Sequence, residues 1–150
     1  MTHLRTTIRD AVTTTVTNLT TTGTRVYKSR NLPLSAAEFP CLCVYARADV
    51  PEYADAVFTG GKVWPVRNLE MHVQGYVKDS DTSVIHTTLE LIAEQVETAI
   101  FTTIPTGAYG VTLGEQTIQI EDSGDETLGT IDMVFTIIYR AAEGAPGVSI

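Results

Sequence analysis

Apolar side chains at Leu4, Ile8, Val12, Val16 and Leu19 recur at steps of four, four, four and three, the stripe that an amphipathic helix turns toward a core. The spacing predicts a helix over 2–22. Its other face is mostly threonine (Thr6, Thr7, Thr13, Thr14, Thr17, Thr20, Thr21), an indifferent helix former, so burial of the stripe has to supply the stability. Gly23 is a suitable stop.

From Arg25 the pattern becomes extended. Val26-Tyr27 predicts a short strand, Asn31 to Pro40 a loop, and Cys41-Leu42-Cys43-Val44-Tyr45-Ala46 a compact apolar strand, central in a sheet and opened by a proline. Ala48 to Lys62, with Pro51, Gly60 and Gly61, has the profile of a long irregular connection or a projecting hairpin. Next, Leu69, Met71, Val73, Gly75 and Val77 alternate with Asn68, Glu70, His72 and Gln74, which predicts a half-buried strand. A polar stretch from Lys78 to Thr82 offers N-caps for a second helix, whose Ile85, Leu89, Ile92, Val96 and Ile100 form a stripe and whose Glu90, Glu94 and Glu97 face outward. Extended segments follow at Tyr109–Leu113 and Thr117–Glu121, then a turn at 123–126 and a long strand, Leu128 to Arg140. Helix, strands, helix and hairpin in that order predict one α+β domain over 1–140: a mainly antiparallel sheet with two helices packed on it. Residues 141–150, with Gly144, Pro146 and Gly147, read as a flexible C-terminal tail.

Composition narrows the classes. The chain has 150 residues, 43% of them hydrophobic. A domain of this size hides roughly 68–70% of its unfolded surface, enough for a core without metal or disulfide support. No apolar run approaches the roughly 18 residues of a spanning helix, and no secretory stretch follows the first residues, so synthesis in the cytosol is expected. Cys41 and Cys43 lie two apart, where an extended chain points both thiols to one face, so they are expected to be reduced. Charge is uneven. Residues 1–78 hold nine of the ten Lys and Arg and six of the eighteen acids, a net +3, whereas 79–150 hold Arg140 against twelve acids, a net −11. The bases are scattered rather than clustered, which argues against sequence-reading nucleic-acid binding.

A catalytic or metal centre finds little to work with. His3, His72 and His86 share no ligand spacing, and Cys41-x-Cys43 has no second pair, so buried core cysteines are the better reading. Ser80 or Ser83 near His86 is explained by helix capping. Thr59-Gly60-Gly61-Lys62 lacks the following helix of a phosphate cradle and reads as a tight turn. Glu121, Asp122, Asp125 and Glu126 lack the alternating ligand register of a calcium loop and read as a solvated hairpin tip. No cofactor and no metal is expected. What remains is surface for partners: Arg47, Tyr53, Phe58, Lys62 and Trp64 gather around the long connection, with aromatics in a mixed-charge setting as in many protein interfaces, although Trp64 and Tyr76 are equally explained as core padding.

Several segments together resemble the tail terminator (tail completion) proteins of long-tailed bacteriophages. These are the opening Leu4-Arg5-x-x-Ile8-Arg9-x-x-Val12, the stretch Glu38-Phe39-Pro40 into Cys41-Leu42-Cys43-Val44-Tyr45, the strand Leu69 to Val77, the helix Leu89-x-x-Ile92-Ala93-x-x-Val96-Glu97 and the closing Tyr139-Arg140. The likeness spans residues 3–140 and lies in order, spacing and local pattern. It implies a non-enzymatic virion protein in the tail and neck region, assembled in the host cytoplasm. Its subunits would form a hexameric ring on the head-proximal end of the tail tube, end tube growth and offer the surface for head-tail joining. The implied partners are further copies of the chain, the tail tube protein, a head-tail connector or stopper protein and, in transit, DNA. Glu115, Glu121, Asp122, Asp125 and Glu126 would then be candidates for an acidic lumen or tube-facing loop that DNA does not adhere to. Two other readings stand beside it: a head-tail joining or stopper protein, and a small ligand-binding or enzymatic α+β domain.

Overall fold

A computed structural model describes residues 3–29, 39–123 and 126–147. Along the chain run α1 (Leu4–Thr15), β1 (Val26–Lys28), β2 (Cys41–Thr59), β3 (Lys62–Asp79), α2 (Thr82–Thr102), β4 (Gly110–Ser123) and β5 (Glu126–Arg140). The strands form one sheet in the order β1-β2-β3-β5-β4, with β1 parallel to β2 and every other neighbouring pair antiparallel. The predicted α+β class, with two helices on a mainly antiparallel sheet, is the one observed.

α1 is shorter than the apolar stripe suggests. It ends at Thr15, Val16 caps it, and Asn18 takes a left-handed φ of 67°. The run of β-branched threonines supplies little propensity to carry the helix on, and the hydroxyls of Thr13, Thr14 and Thr17 bond back to carbonyls four residues earlier. Val16 stays fully buried beyond the helix end, so the stripe marks burial further than it marks helix. α2 is capped by Asp81, whose carboxylate accepts the Ser83 N–H at 2.9 Å.

Both helices lie on one face of the sheet. Leu4, Ile8 and Val12 of α1 and Ile85, Leu89, Ile92, Val96 and Ile100 of α2 share a cluster with Leu42, Val44, Leu69, Met71, Val73, Ile131, Met133, Phe135, Ile137 and Tyr139. Each such side chain contributes roughly 1.5–3 kcal/mol of gross burial energy. α2 approaches the strands closely because Gly75 and Gly129 lack side chains beneath it. A Cβ on Gly129 would sit 2.2 Å from Ile85 Cγ2, and one on Gly75 2.8 Å from Ile92 Cγ2.

The stretch 48–62 resolves as the projecting hairpin. β2 and β3 continue as a two-stranded arm, Val57 pairing with Trp64, Phe58 with Val63 and Thr59 with Lys62. The turn is Gly60-Gly61, with φ of 60° and 72°, the positive pair that a two-residue hairpin turn needs. Pro51 is tolerated because, among the described residues, β1 pairs with β2 only at Leu42–Val44, so no strand pairs with the outer edge of β2 at Pro51. Likewise, the two segments predicted at 109–113 and 117–121 are one strand, β4, with an irregularity between Leu113 and Gln116.

The described part of the expected tail, up to Gly147, is tied down. Ala141 and Ala142 are buried, the Glu143 N–H donates to Val63 O at 2.9 Å, and the Leu4 N–H donates to Pro146 O at 2.9 Å. No helix among the described residues is long and apolar enough to cross a membrane.

Candidate functional site

The five side chains singled out as an interface separate into two groups. Tyr53, Phe58, Lys62 and Trp64 belong to the arm. Phe58 is 76% exposed at its tip, and Tyr53 and Lys62 are also exposed. Trp64 turns inward: it is buried, and its indole Nε1 donates to Thr59 O at 3.4 Å. Trp64 is buried outside both hydrophobic clusters of the body, whereas Tyr76 packs with Cys41 and Cys43 as core padding. The arm is braced by the chain end, where the Tyr53 hydroxyl bonds the Glu143 carboxylate and Arg140 Nη1 donates to Asp55 O at 2.7 Å and Trp64 O at 3.2 Å.

Arg47 stands apart, on the sheet face away from the helices. Its guanidinium is 3.2 Å from Glu70 Oε2, and its side chain is 68% exposed. Beside it lies a polar network around the buried His72 that sequence alone does not reveal. His72 Nδ1 is 2.9 Å and 3.2 Å from the two carboxylate oxygens of Asp132, its Nε2 is 3.2 Å from Glu70 Oε2, and Tyr45 stacks on its ring at 5.0 Å. Gln74 Nε2 donates to the Tyr45 hydroxyl at 3.1 Å, and the Tyr76 hydroxyl donates to Gln74 Oε1 at 2.6 Å. Burial pushes the Glu70 carboxyl up, but hydrogen bonds and charge interactions with His72 and Arg47 outweigh it and hold it below the usual carboxylate range. Burial also pushes the Tyr76 phenol well above its ordinary value. Chemically this is a clamp. Both ring nitrogens of His72 face carboxylates, so the ring ties β3 to β5 and leaves no nitrogen directed at a substrate. Cys41 and Cys43, on the same sheet face, are buried and form no disulfide.

A second clamp holds the base of the arm. Asp49 Oδ2 accepts from the Tyr139 hydroxyl and lies 3.5 Å from Arg5 Nη1, while Arg67 sits over the Tyr139 ring at 6.0 Å and donates to Ala142 O at 3.4 Å. It joins α1, β2, β3, β5 and the chain end. Burial and then the Asp49 carboxylate raise the Tyr139 phenol far above its usual range.

The acidic residues take the opposite end of the sheet. β3 and β5 pair from Val66↔Arg140 near the arm to Asp79↔Thr127 near the β4–β5 turn, about 40 Å at the usual rise per strand residue. Glu121, Asp122 and Glu126 are exposed at that turn and Glu115 lies farther back on β4. Asp125 lies outside the described residues, as does most of the loop expected at 31–40. Among the described residues no group of three or more His, Cys, Asp or Glu is placed to hold a metal ion.

Neither a family model nor a curated protein sequence matches this chain. In three dimensions it is similar to a chain in the solved structure of the virion of a native gene transfer agent particle, with a TM-score of 0.51 and 13% identity, over 93% of this chain and 96% of that one. A virion chain shares this fold. At so low an identity the likeness lies in the path of the backbone and does not transfer any side chain.

The two clamps escaped sequence reasoning for one reason. His72 and Asp132 both stand at even, polar positions of their strands, which is a signal, but it becomes a contact only once the β3–β5 register sets His72 against Val134 and Gln74 against Asp132.

Proposed function

We propose that this chain is a structural virion protein that builds, with copies of itself, a hexameric ring on the head-proximal end of a phage-like tail tube, ends tube growth there and offers the surface for head-tail joining. The observation that carries this reading is the shared fold with a virion chain over nearly the full length of both. Two features of the molecule support it. An arm with exposed aromatic side chains projects from one end of the sheet and an acidic hairpin tip forms the other, so one body presents two unlike patches, as head-to-tail closure of a ring requires. The polar groups that converge around His72 and around Asp49 bond chiefly to one another and tie strands together, in keeping with a building block rather than a catalyst.

In such a ring Glu115, Glu121, Asp122 and Glu126 would face the passage through which DNA moves, where like-charge repulsion keeps it from adhering. The tail tube protein and a connector or stopper protein would meet the two ring faces.

Removal of the gene tests the reading. Electron microscopy of the resulting particles should show tails of uncontrolled length, and added purified protein should bind tails at one end. Tails of normal length that fail to join heads would favour a stopper or joining protein of the neck instead. A small molecule retained by the purified protein in native mass spectrometry, with normal particles on gene removal, would sink both.

A further inference from the structure

The tip of the arm and the flank of α2 carry complementary chemistry. From Ala56 to Val66 the only charged residue is Lys62, four positions after Phe58, and the arm reaches about 15 Å past the level where β5 stops pairing, at five residues of strand rise. On the far edge of the sheet, a groove of about 410 Å³ runs between α2 and β4, lined by Glu90, Leu91, Glu94, Glu97 and Gln116. Leu91 is 44% exposed there, and Ile118, two residues along β4 on the face that Gln116 shares, is 42% exposed. Neither α2 nor β4 contains a single Lys or Arg. Leu91 in the groove and Ile118 beside it, next to three glutamates, fit an aromatic side chain followed by a cation.

We infer that the arm tip of one copy seats in the α2–β4 groove of a second copy, with Phe58 against Leu91 and Ile118 and Lys62 among Glu90, Glu94 and Glu97. The inference rests on the ring reading for its expectation that copies meet head to tail, and it names the surfaces that do so. A chain's own arm cannot serve, because its base is held through Tyr53–Glu143 and Arg140–Asp55, and β5 lies between the arm's strand β3 and β4. Donor and acceptor surfaces therefore lie apart on each copy and both can be engaged at once, which makes the contact heterologous and able to propagate around a ring. The glutamates also set specificity: Glu52 and Asp55, nearer the arm's base, would meet like charge if the arm slid deeper, so only the tip is accepted.

The test is charge exchange combined with cross-linking on the full chain. Sedimentation of the purified protein over a range of concentrations should show self-association that Lys62→Glu weakens by at least about tenfold, the usual effect of losing one well-placed interfacial charge contact, and that Phe58→Ser weakens at least as much. Mixing Lys62→Glu with Glu94→Lys, each defective alone, should restore association between the two variants. Under oxidation, Phe58→Cys mixed with Leu91→Cys should give a disulfide-linked dimer that neither gives alone, both in solution and on tail ends. Self-association that is indifferent to Lys62→Glu and Phe58→Ser would overturn the arm-in-groove contact while leaving the ring reading standing. Absence of the cross-link in solution and on tails would overturn it too, whereas single-end binding to tails judges the ring reading by itself.

Discussion

Strands β2 and β3 contain two regions of similar composition put to opposite uses. In the body, Cys41–Val44 lies against Val73–Tyr76: Leu42 and Val44 face the helices, Cys41 and Cys43 face the other side with Tyr76, and all are buried. In the arm, Val57 and Phe58 pair with Trp64 and Val63 in the same antiparallel manner, yet Phe58 is largely exposed to water. The backbone hydrogen bonding is alike, so the difference is coverage. α2, β5 and α1 close the body; among the described residues the arm is met by Arg140 at the end of β5 and by Glu143 just after it. Exposed apolar side chains held on a regular strand pair are the feature that distinguishes the arm from the body, and the proposed contact between copies builds on it.

The comparison is broken most severely in the body. Phe135 is fully buried on β5, opposite Met71 and tilted against Phe101 at 6.1 Å. Phe135→Ala should cost about 3–5 kcal/mol, the usual penalty for emptying an aromatic site in a packed core, measured as a lowered denaturant midpoint with unchanged slope. A loss below about 1 kcal/mol would mean that the sheet face under α2 is looser than a packed core allows.

A smaller effect is expected where body and arm meet. Tyr139→Phe removes the hydroxyl that Asp49 accepts from and leaves a buried carboxylate, whose Oδ1 already has no partner, with Arg5 alone; the expected loss is about 1–2 kcal/mol. The same hydroxyl sets an alkaline limit. Because the folded phenols of Tyr139 and Tyr76 are raised, their protonated forms stabilise the fold fully below the ordinary tyrosine value of about 10, and that contribution is lost as pH climbs above it toward the folded values. Tyrosinate absorbance should therefore rise in two stages, the second coinciding with unfolding, and Tyr139→Phe should shrink the second stage.

How much of this is legible in the chain differs between the same two regions. On the face the helices cover, the body is written in its periodicities: the α2 stripe and the odd positions of β3 and β5 follow from spacing. The other face is not, since β3, expected to be half-buried, also buries His72 and Tyr76 at even positions. The end of α1 was harder to place, because threonines keep the apolar stripe going while lowering helix propensity, and Val16 is buried whether or not it is helical. The arm could be narrowed to a connection or a hairpin but not decided, as the deciding contacts, Arg140 to Asp55 and Tyr53 to Glu143, join residues far apart in sequence. Trp64 shows the limit well. Its type and neighbours suit an interface as much as a core, and only the turn back of the indole to Thr59 places it inside.

The least effect on folding should come from the arm tip, and there the comparison is sharpest. Phe58 and Phe135 are the same residue in the same kind of strand, so the two substitutions differ only in what surrounds the ring. Phe58→Ala removes a side chain that the fold barely touches, and surface changes of this kind stay within about 0.5 kcal/mol. The denaturant midpoint should thus match the parent protein, while binding at tail ends, counted by electron microscopy, should fall. A destabilisation approaching that of Phe135→Ala would show that the ring packs onto the body after all, and the contrast between covered and uncovered strand would lose its meaning. Unchanged stability with unchanged tail binding would leave the arm a structural ornament and move the search for the interface to the acidic end of the sheet.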